Sequence, residues 1–358
     1  MLNNTDLESS EDNFENCKFD IKKGFILWGK NKIFYYSAAV CFVLLFYTFF
    51  TGLLLFLFYK DGTGYAFESV EYIVYNVKFG WLIHAVHYWA AHIAVISAYA
   101  HILIMLFYGR YSGNSKFIFD TFVLLFFSVI FFAYTGGILP WNNEALLTFK
   151  ESTEVLRNLP VIGDIFIRIL INTPDTMNLD LSYIYKVHVF ILPVIFFLIL
   201  AIHIVLLISN DYLKISKNSS DLQNKAVKIK VYPDLSLRLF LVFLVLSNLL
   251  FALSVVFPNP LNMKADYLFQ SAPGILPAWY FIFIFQAGKI FEFIYIHEKY
   301  VSYSIIVLIP VILLFILPFF KDNKNTISPG KLLKYSVIIM LFLVLFLTVL
   351  GYFAGNFY

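Results

Sequence analysis

The chain has 358 residues, of which 60% are hydrophobic and only 14% charged. Soluble domains run at about 45–50% apolar and about 25% charged, so the composition excludes a freely soluble globular protein and places the chain in the membrane class. A net charge of +3 gives no basis for nucleic-acid binding, and two cysteines, Cys17 and Cys41, make no disulfide framework, zinc site or covalent haem-attachment motif.

The first sixteen residues are polar and acidic and do not resemble a cleaved signal peptide. Residues 14–29 mix Phe14, Cys17, Ile21, Phe25 and Ile26 with Lys18, Lys22 and Lys23. They read as an amphipathic helix on the membrane surface, with a soluble-side packing helix as the alternative. Residues 1–32 thus form an N-terminal surface segment. Seven stretches then carry the roughly 20 apolar residues that a hydrocarbon core requires: 33–58, 80–107, 117–138, 184–209, 236–256, 301–319 and 333–354. The expected fold is an all-α integral membrane protein. Its four-helix block occupies 33–209 and its three-helix block 236–358, with a polar, lysine-rich linker at 210–235 (Lys214, Lys217, Lys225, Lys228, Lys230). Lys and Arg concentrate in the N-terminal segment and this linker, which sets the N-terminus on the negative, cytoplasmic side and the C-terminus on the positive side. The connections 139–183 and 257–300 then face the positive side. Both are long and carry short apolar runs, and long ordered loops tend to be functional.

Four histidines stand out within the spans. His87 and His101 lie 14 residues apart on the second span, and His188 and His203 lie 15 apart on the fourth. At about 100° and 1.5 Å per residue each pair falls near one helix face, roughly 21–22 Å apart. The second and fourth spans run in the same direction, so His87 is level with His188 and His101 with His203. A haem iron that only transfers electrons takes two axial imidazoles, which close its sixth position to other ligands. Two such sites at two depths give a path across the bilayer. Ionisable residues inside a membrane are costly and functional by default; four merely hydrogen-bonded core histidines would need neither matched spacing nor matched depth. His84 lies one turn before His87, placed to meet a haem propionate. His92 is on a different face, where packing is its expected role, and His297 is a surface residue or part of a quinone site.

At these residues the sequence resembles cytochrome b of the cytochrome bc complexes. Phe79-Gly80-Trp81-Leu82-Ile83-His84-Ala85-Val86-His87 is close to that family's Gly-Trp-Leu-Ile-Arg-x-x-His, and Thr135-Gly136-Gly137-Ile138-Leu139-Pro140-Trp141 to its Gly-x-x-Leu-Pro-Trp. Leu159-Pro160-Val161-Ile162-Gly163, the opening His188-Val189-Phe190-Ile191-Leu192-Pro193 and Pro277-Ala278-Trp279-Tyr280-Phe281 extend the resemblance over most of the chain. The 15-residue histidine spacing and the three following helices are most similar to the photosynthetic and menaquinol type, with the two halves fused. The resemblance implies two b-type haems, on His87/His188 near the positive side and on His101/His203 near the negative side. It implies quinol oxidation (menaquinol or ubiquinol) in a pocket under the two long loops, coupled to proton translocation. It also implies a Rieske iron–sulfur protein and a c-type cytochrome as partners, a homodimer in lipid, and a bacterial cytoplasmic membrane as the setting.

Departures from the family bear on the quinol pocket. Ala278 stands where the family has a glutamate and can neither accept a proton nor hydrogen-bond a hydroxyl. Glu144, Glu151, Glu154 and Glu292 are the carboxylates that could take over, beside Tyr280; the alternative is a non-bifurcating di-haem conduit between a quinone pool and another redox protein. His84 replaces the arginine that pairs with a propionate. At the position of the family's covalent-haem cysteine stands Tyr36, and Cys41 is five residues on, so no covalent third haem is expected. Asp211, Asp234 and Arg238 lie near the negative surface, as a quinone site or an interfacial charge cluster.

Overall fold

A computed structural model describes residues 25–28, 32–159, 162–170, 180–209, 215–216, 227–266, 278–293, 304–320 and 329–354. Strand β1 (Phe25–Trp28) is followed by helices α1 (Lys32–Phe56), α2 (Ala66–Asn76), α3 (Gly80–Phe107), α4 (Lys116–Ile138), α5 (Asn143–Arg157), α6 (Ile162–Leu170) and α7 (Leu181–Ser209). Strands β2 (Ile215–Ser216) and β3 (Val227–Lys230) lead into α8 (Ser236–Val256), α9 (Ile282–Phe293), α10 (Ile305–Phe319) and α11 (Pro329–Ala354).

Six of these helices are long and apolar enough to cross a membrane: α1, α3, α4, α7, α8 with its lead-in from Tyr232, and α11. Of the expected span at 301–319, the described part is the apolar helix α10, Ile305–Phe319. A second short apolar helix, Trp279–Phe291, forms where only an apolar run was expected. The outward faces of α1 and α7 carry exposed Phe42, Phe46, Phe49, Phe197, Leu198 and Val205. Such a face fails in water and suits hydrocarbon, and helices suit it because they satisfy every backbone polar group internally.

The inner faces are packed by size. Ala90, Ala94 and Ala98 run down α3 every fourth residue, and Leu44 of α1 and Ile102 of α3 are fully buried in the same core. Small residues in register let helix backbones approach closely, the usual device where lipid offers no hydrophobic drive between helices. Helix α8 lies across α1 and α3. Tyr47 and Ser247 hydrogen-bond each other, and the Trp89 indole donates to the Phe257 carbonyl at 2.9 Å.

The N-terminal segment departs from expectation at its end. Phe25–Trp28 is a strand, pairing antiparallel with Ile215–Ser216 on one edge and Val227–Lys230 on the other. Apolar residues that could form one stripe of a helix also satisfy a strand, and distant backbone partners decide between them. The rest of the expected surface helix, 14–24 and 29, lies outside the described residues, as do Asp211 and His297.

The two long loops are stitched together. Asn142 caps α5 by accepting from the Ala145 N–H at 2.9 Å, and its amide donates to the Leu261 carbonyl at 3.0 Å. The Asn143 N–H donates to Met263 O at 3.0 Å, and the Ala265 N–H to Trp141 O at 3.0 Å. These bonds hold residues 261–266 against the start of α5, with Trp141 fully buried beneath them.

Candidate functional site

The four histidines stand in two groups on the parallel helices α3 and α7. His188 neighbours His87 and His203 neighbours His101, each close enough to interact electrostatically. One detail reconciles the unequal spacing. His188 sits in a π-turn, Val187–Ile191, closed by the Leu192 N–H on the Val187 carbonyl. The wider turn absorbs the additional residue, so 15 positions on α7 match 14 on α3.

Each imidazole has the same partner. The Nδ1 atoms of His101 and His87 lie 2.7 and 3.0 Å from the hydroxyls of Ser37 and Thr51 on α1. Those of His203 and His188 both lie 2.8 Å from the hydroxyls of Thr121 and Thr135 on α4. Every one of these hydroxyls is already committed as a donor to a carbonyl of its own helix: Ser37 to Phe34 at 2.9 Å, Thr51 to Tyr47 at 2.6 Å, Thr121 to Phe117 at 2.8 Å and Thr135 to Phe131 at 2.7 Å. A hydroxyl with its single proton spent can only accept. Nδ1 therefore carries the proton in all four rings, and Nε2 keeps its lone pair. A neutral imidazole fixed through Nδ1 is the form in which histidine ligates a metal. Sequence reading missed these hydroxyls; the one signal that marks them is that Ser37 and Thr51, like Thr121 and Thr135, stand 14 residues apart.

The walls differ between the pairs. At the first, Gly52 and Gly136 lie against the rings; a Cβ on Gly52 would come 3.1 Å from His87 Cε1, and one on Gly136 only 2.8 Å from His188 Cε1. The contact at Gly136 is closer than real side chains show, and that at Gly52 is tight enough that the His87 ring would have to shift by a few tenths of an ångström. At the second, the rings of Phe34 and Phe122 lie 5.0 and 4.5 Å from that of His101, which is 2% exposed. The donor set at both pairs suits an iron with two axial imidazoles, and the first pair also has the glycine wall that close approach of a flat macrocycle requires.

The other expected site residues gather toward the loops. His84 neighbours His87, as its place one turn earlier implies. Tyr280 is buried with its hydroxyl toward Gly137, and Phe281 packs its ring on Tyr134, whose hydroxyl accepts from Ser152 at 2.8 Å. The Ala278 N–H points to the Thr148 hydroxyl at 3.3 Å, so the motif is held by backbone rather than by a side chain at that position. Glu144, at the start of α5, accepts from the Asn262 amide at 2.8 Å; partial burial pushes its carboxyl above the ordinary range, against the pull of that amide. Glu151 and Glu154 lie on α5. Glu292 falls in the last turn of α9, its side chain outside what is described. His92 does more than pack: its Nδ1 accepts from the Trp279 indole at 2.8 Å and ties the loop motif to α3. Near the other end, Arg238 donates to the Tyr36 hydroxyl at 3.0 Å, and Cys41 is buried beside Ser97.

A bundle of membrane-spanning helices holding two histidine pairs at two depths is the frame of a membrane-bound electron-transfer protein. Residues 26–211, which hold all four histidines, match the family model described as "Cytochrome b/b6/petB". The chain belongs to the cytochrome b/b6 family and is an integral membrane protein, and membership implies b-type haem. It is similar to a "Cytochrome bc complex cytochrome b subunit" of Chlorobaculum thiosulfatiphilum, 32% identical over 249 residues. That alignment covers 68% of this chain and 56% of the relative, so the match spans little more than half of the relative's length. The fold is also that of a chain in a solved "Hyperthermophilic respiratory Complex III", with a TM-score of 0.70, 20% identity, and coverage of 91% of this chain and 94% of that one.

Proposed function

We propose that the chain is the quinol-oxidising subunit of a bc-type complex and carries electrons across the membrane through two b-type haems, one held by His87 and His188, the other by His101 and His203. The observation that carries this reading is the fourfold repetition of one arrangement: imidazole Nδ1 on a Ser or Thr hydroxyl whose own proton is spent on its helix. Bound haem would supply a reversible one-electron site at each depth. The protein's share is to fix the ring plane, keep Nε2 unprotonated and exclude water. Ser37, Thr51, Thr121 and Thr135 do the first two, and the aromatic packing of α1, α4 and α7 does the third.

The loop-side pocket around Tyr280, Ala278 and Trp279 is the proposed place of quinol oxidation, with N-terminus on the negative side and loops on the positive side. A described carboxylate on the loop side is Glu144, in electrostatic reach of Tyr88, which in turn neighbours Tyr280. A carboxyl raised by burial suits a group that takes a quinol proton. Partners by resemblance are a Rieske iron–sulfur protein, a c-type cytochrome and a second copy of the chain; the relative named for a cytochrome bc complex supports an assembly of this kind. Ala278 favours a second reading, a di-haem conduit that does not split the two electrons of quinol.

Oxidant-induced haem reduction separates the two. The complex is given quinol with the negative-side site blocked and then pulsed with oxidant. Transient b-haem reduction supports quinol splitting; haems that stay oxidised, yet reduce once the block is removed, support the conduit. A purified chain without a b-type spectrum would sink both.

A further inference from the structure

The two histidine pairs repeat on α1 and α4 with a step of 14 residues: Thr51 to Ser37 and Thr135 to Thr121. The same step carries Gly52 to Ala38 and Gly136 to Phe122. The glycine that lets α4 approach His188 is thus replaced, at the second pair, by a full phenyl ring. Phe122 belongs to the helix whose Thr121 holds His203, yet its ring centroid lies nearer to His101, at 4.5 Å, than to His203, at 6.0 Å. The ring therefore reaches from the α4 side toward the α3 imidazole and stands within 6.0 Å of both imidazoles that would share one iron. It is only 8% exposed and sits in the main core, so it is packed there and not swinging in open space.

Resting on the di-haem reading, we propose that Phe122 makes His101/His203 the weaker of the two haem sites. A flat macrocycle held by both Nε2 atoms would crowd the Phe122 ring, which stands within 6.0 Å of each imidazole, and force it to repack among Phe34, Phe119 and Phe126. Buried aromatic cores resist such shifts, because every neighbour is close-packed. At the first pair Gly52 and Gly136 present no side chain, and the Phe132 ring stands 5.6 Å from His188, farther than Phe122 does from His101.

Haem retention tests this on the full-length chain in its detergent-solubilised complex. The protein is incubated with excess apomyoglobin, and haem remaining per chain is followed by pyridine haemochrome. Two phases are expected, with about one haem equivalent lost at least tenfold faster than the other. His101→Ala should remove the fast-leaving haem and leave the slow one, assigning it to the second pair. Phe122→Gly should slow the fast phase toward the other, and Phe122→Ala, milder for helix α4, should move it the same way. If the chain purifies with a single haem, Phe122→Gly should raise that ratio and His101→Ala should leave it unchanged. Two haems lost at one rate, or a fast phase indifferent to both Phe122 variants, would overturn the proposal while leaving the di-haem reading intact. A chain with no haem in any variant would end the di-haem reading itself.

Discussion

At His188 the neighbouring residue of α4 is Gly136; 14 residues earlier, beside the second pair, it is Phe122. The polar half of each site is the same, with one hydroxyl accepting from each Nδ1, while the apolar half is not. The comparison teaches that ligand competence and access are written in different residues. Hydroxyls set the protonation state of the imidazole, and the size of the residue beside it sets what can stand in front of it.

The strongest way to break the comparison is to transplant one wall onto the other site. Gly136→Phe should abolish stable haem binding at His87/His188, since even a Cβ there would stand 2.8 Å from His188 Cε1. About half of the reduced b-band should vanish from the redox spectrum; an unchanged band would mean the wall is irrelevant. Next in size is the loss of a hydroxyl. Thr135→Val keeps the shape but removes the acceptor, and haem affinity at the first pair should fall by roughly 10–100-fold, the usual cost of removing such a supporting bond. Thr121→Val should do the same at the second pair, and a retention assay that shows no change for either would refute the shared-acceptor account.

Two smaller changes serve as controls away from the pairs. Trp279→Phe removes the indole bond to His92 and should lower stability by about 1 kcal/mol, read by thermal unfolding, with both haem signals unchanged. The smallest effect is expected at Glu68, on α2, which pairs with Lys264 at the surface and whose carboxyl is held below its ordinary value mainly by that hydrogen bond. A depressed carboxyl contributes stability above its unfolded pKa, and the contribution disappears as pH falls through the lower folded value. Glu68→Gln should therefore lower the melting temperature slightly at neutral pH and not at all in strong acid; an equal loss at both would exclude the ion pair as its cause.

Most of the helical frame was legible because a bilayer leaves few options: long apolar runs must be helices, and α1, α3, α4, α7, α8 and α11 fall where the runs are. The histidines were legible for the same reason, since ionisable groups within apolar runs stand out. Their supports were not. Ser37, Thr51, Thr121 and Thr135 are small polar residues that helices tolerate for local reasons, each able to bond its own turn, and only the 14-residue step sets them apart. The strand at Phe25–Trp28 was illegible because its partners, 215–216 and 227–230, lie about 200 residues away. The role of His92 was missed because its partner, Trp279, is brought to it by a loop fold that no helical periodicity encodes.

The π-turn at Val187–Ile191 has a consequence for electron transfer over distance. Tunnelling rates fall steeply with separation, so a transmembrane path depends on the spacing of its stations more than on the identity of the residues between them. On α7 that spacing is not set by residue count. One widened turn takes up the odd residue, and His188 and His203 still stand beside His87 and His101 despite 15 positions against 14. On the di-haem reading, the hop length would thereby depend on backbone hydrogen bonding at a single turn. Deleting one residue within 189–191, which would let α7 close as a regular helix, should leave the hop length unaltered, whereas a deletion further along, between the π-turn and His203, would throw the stations out of level.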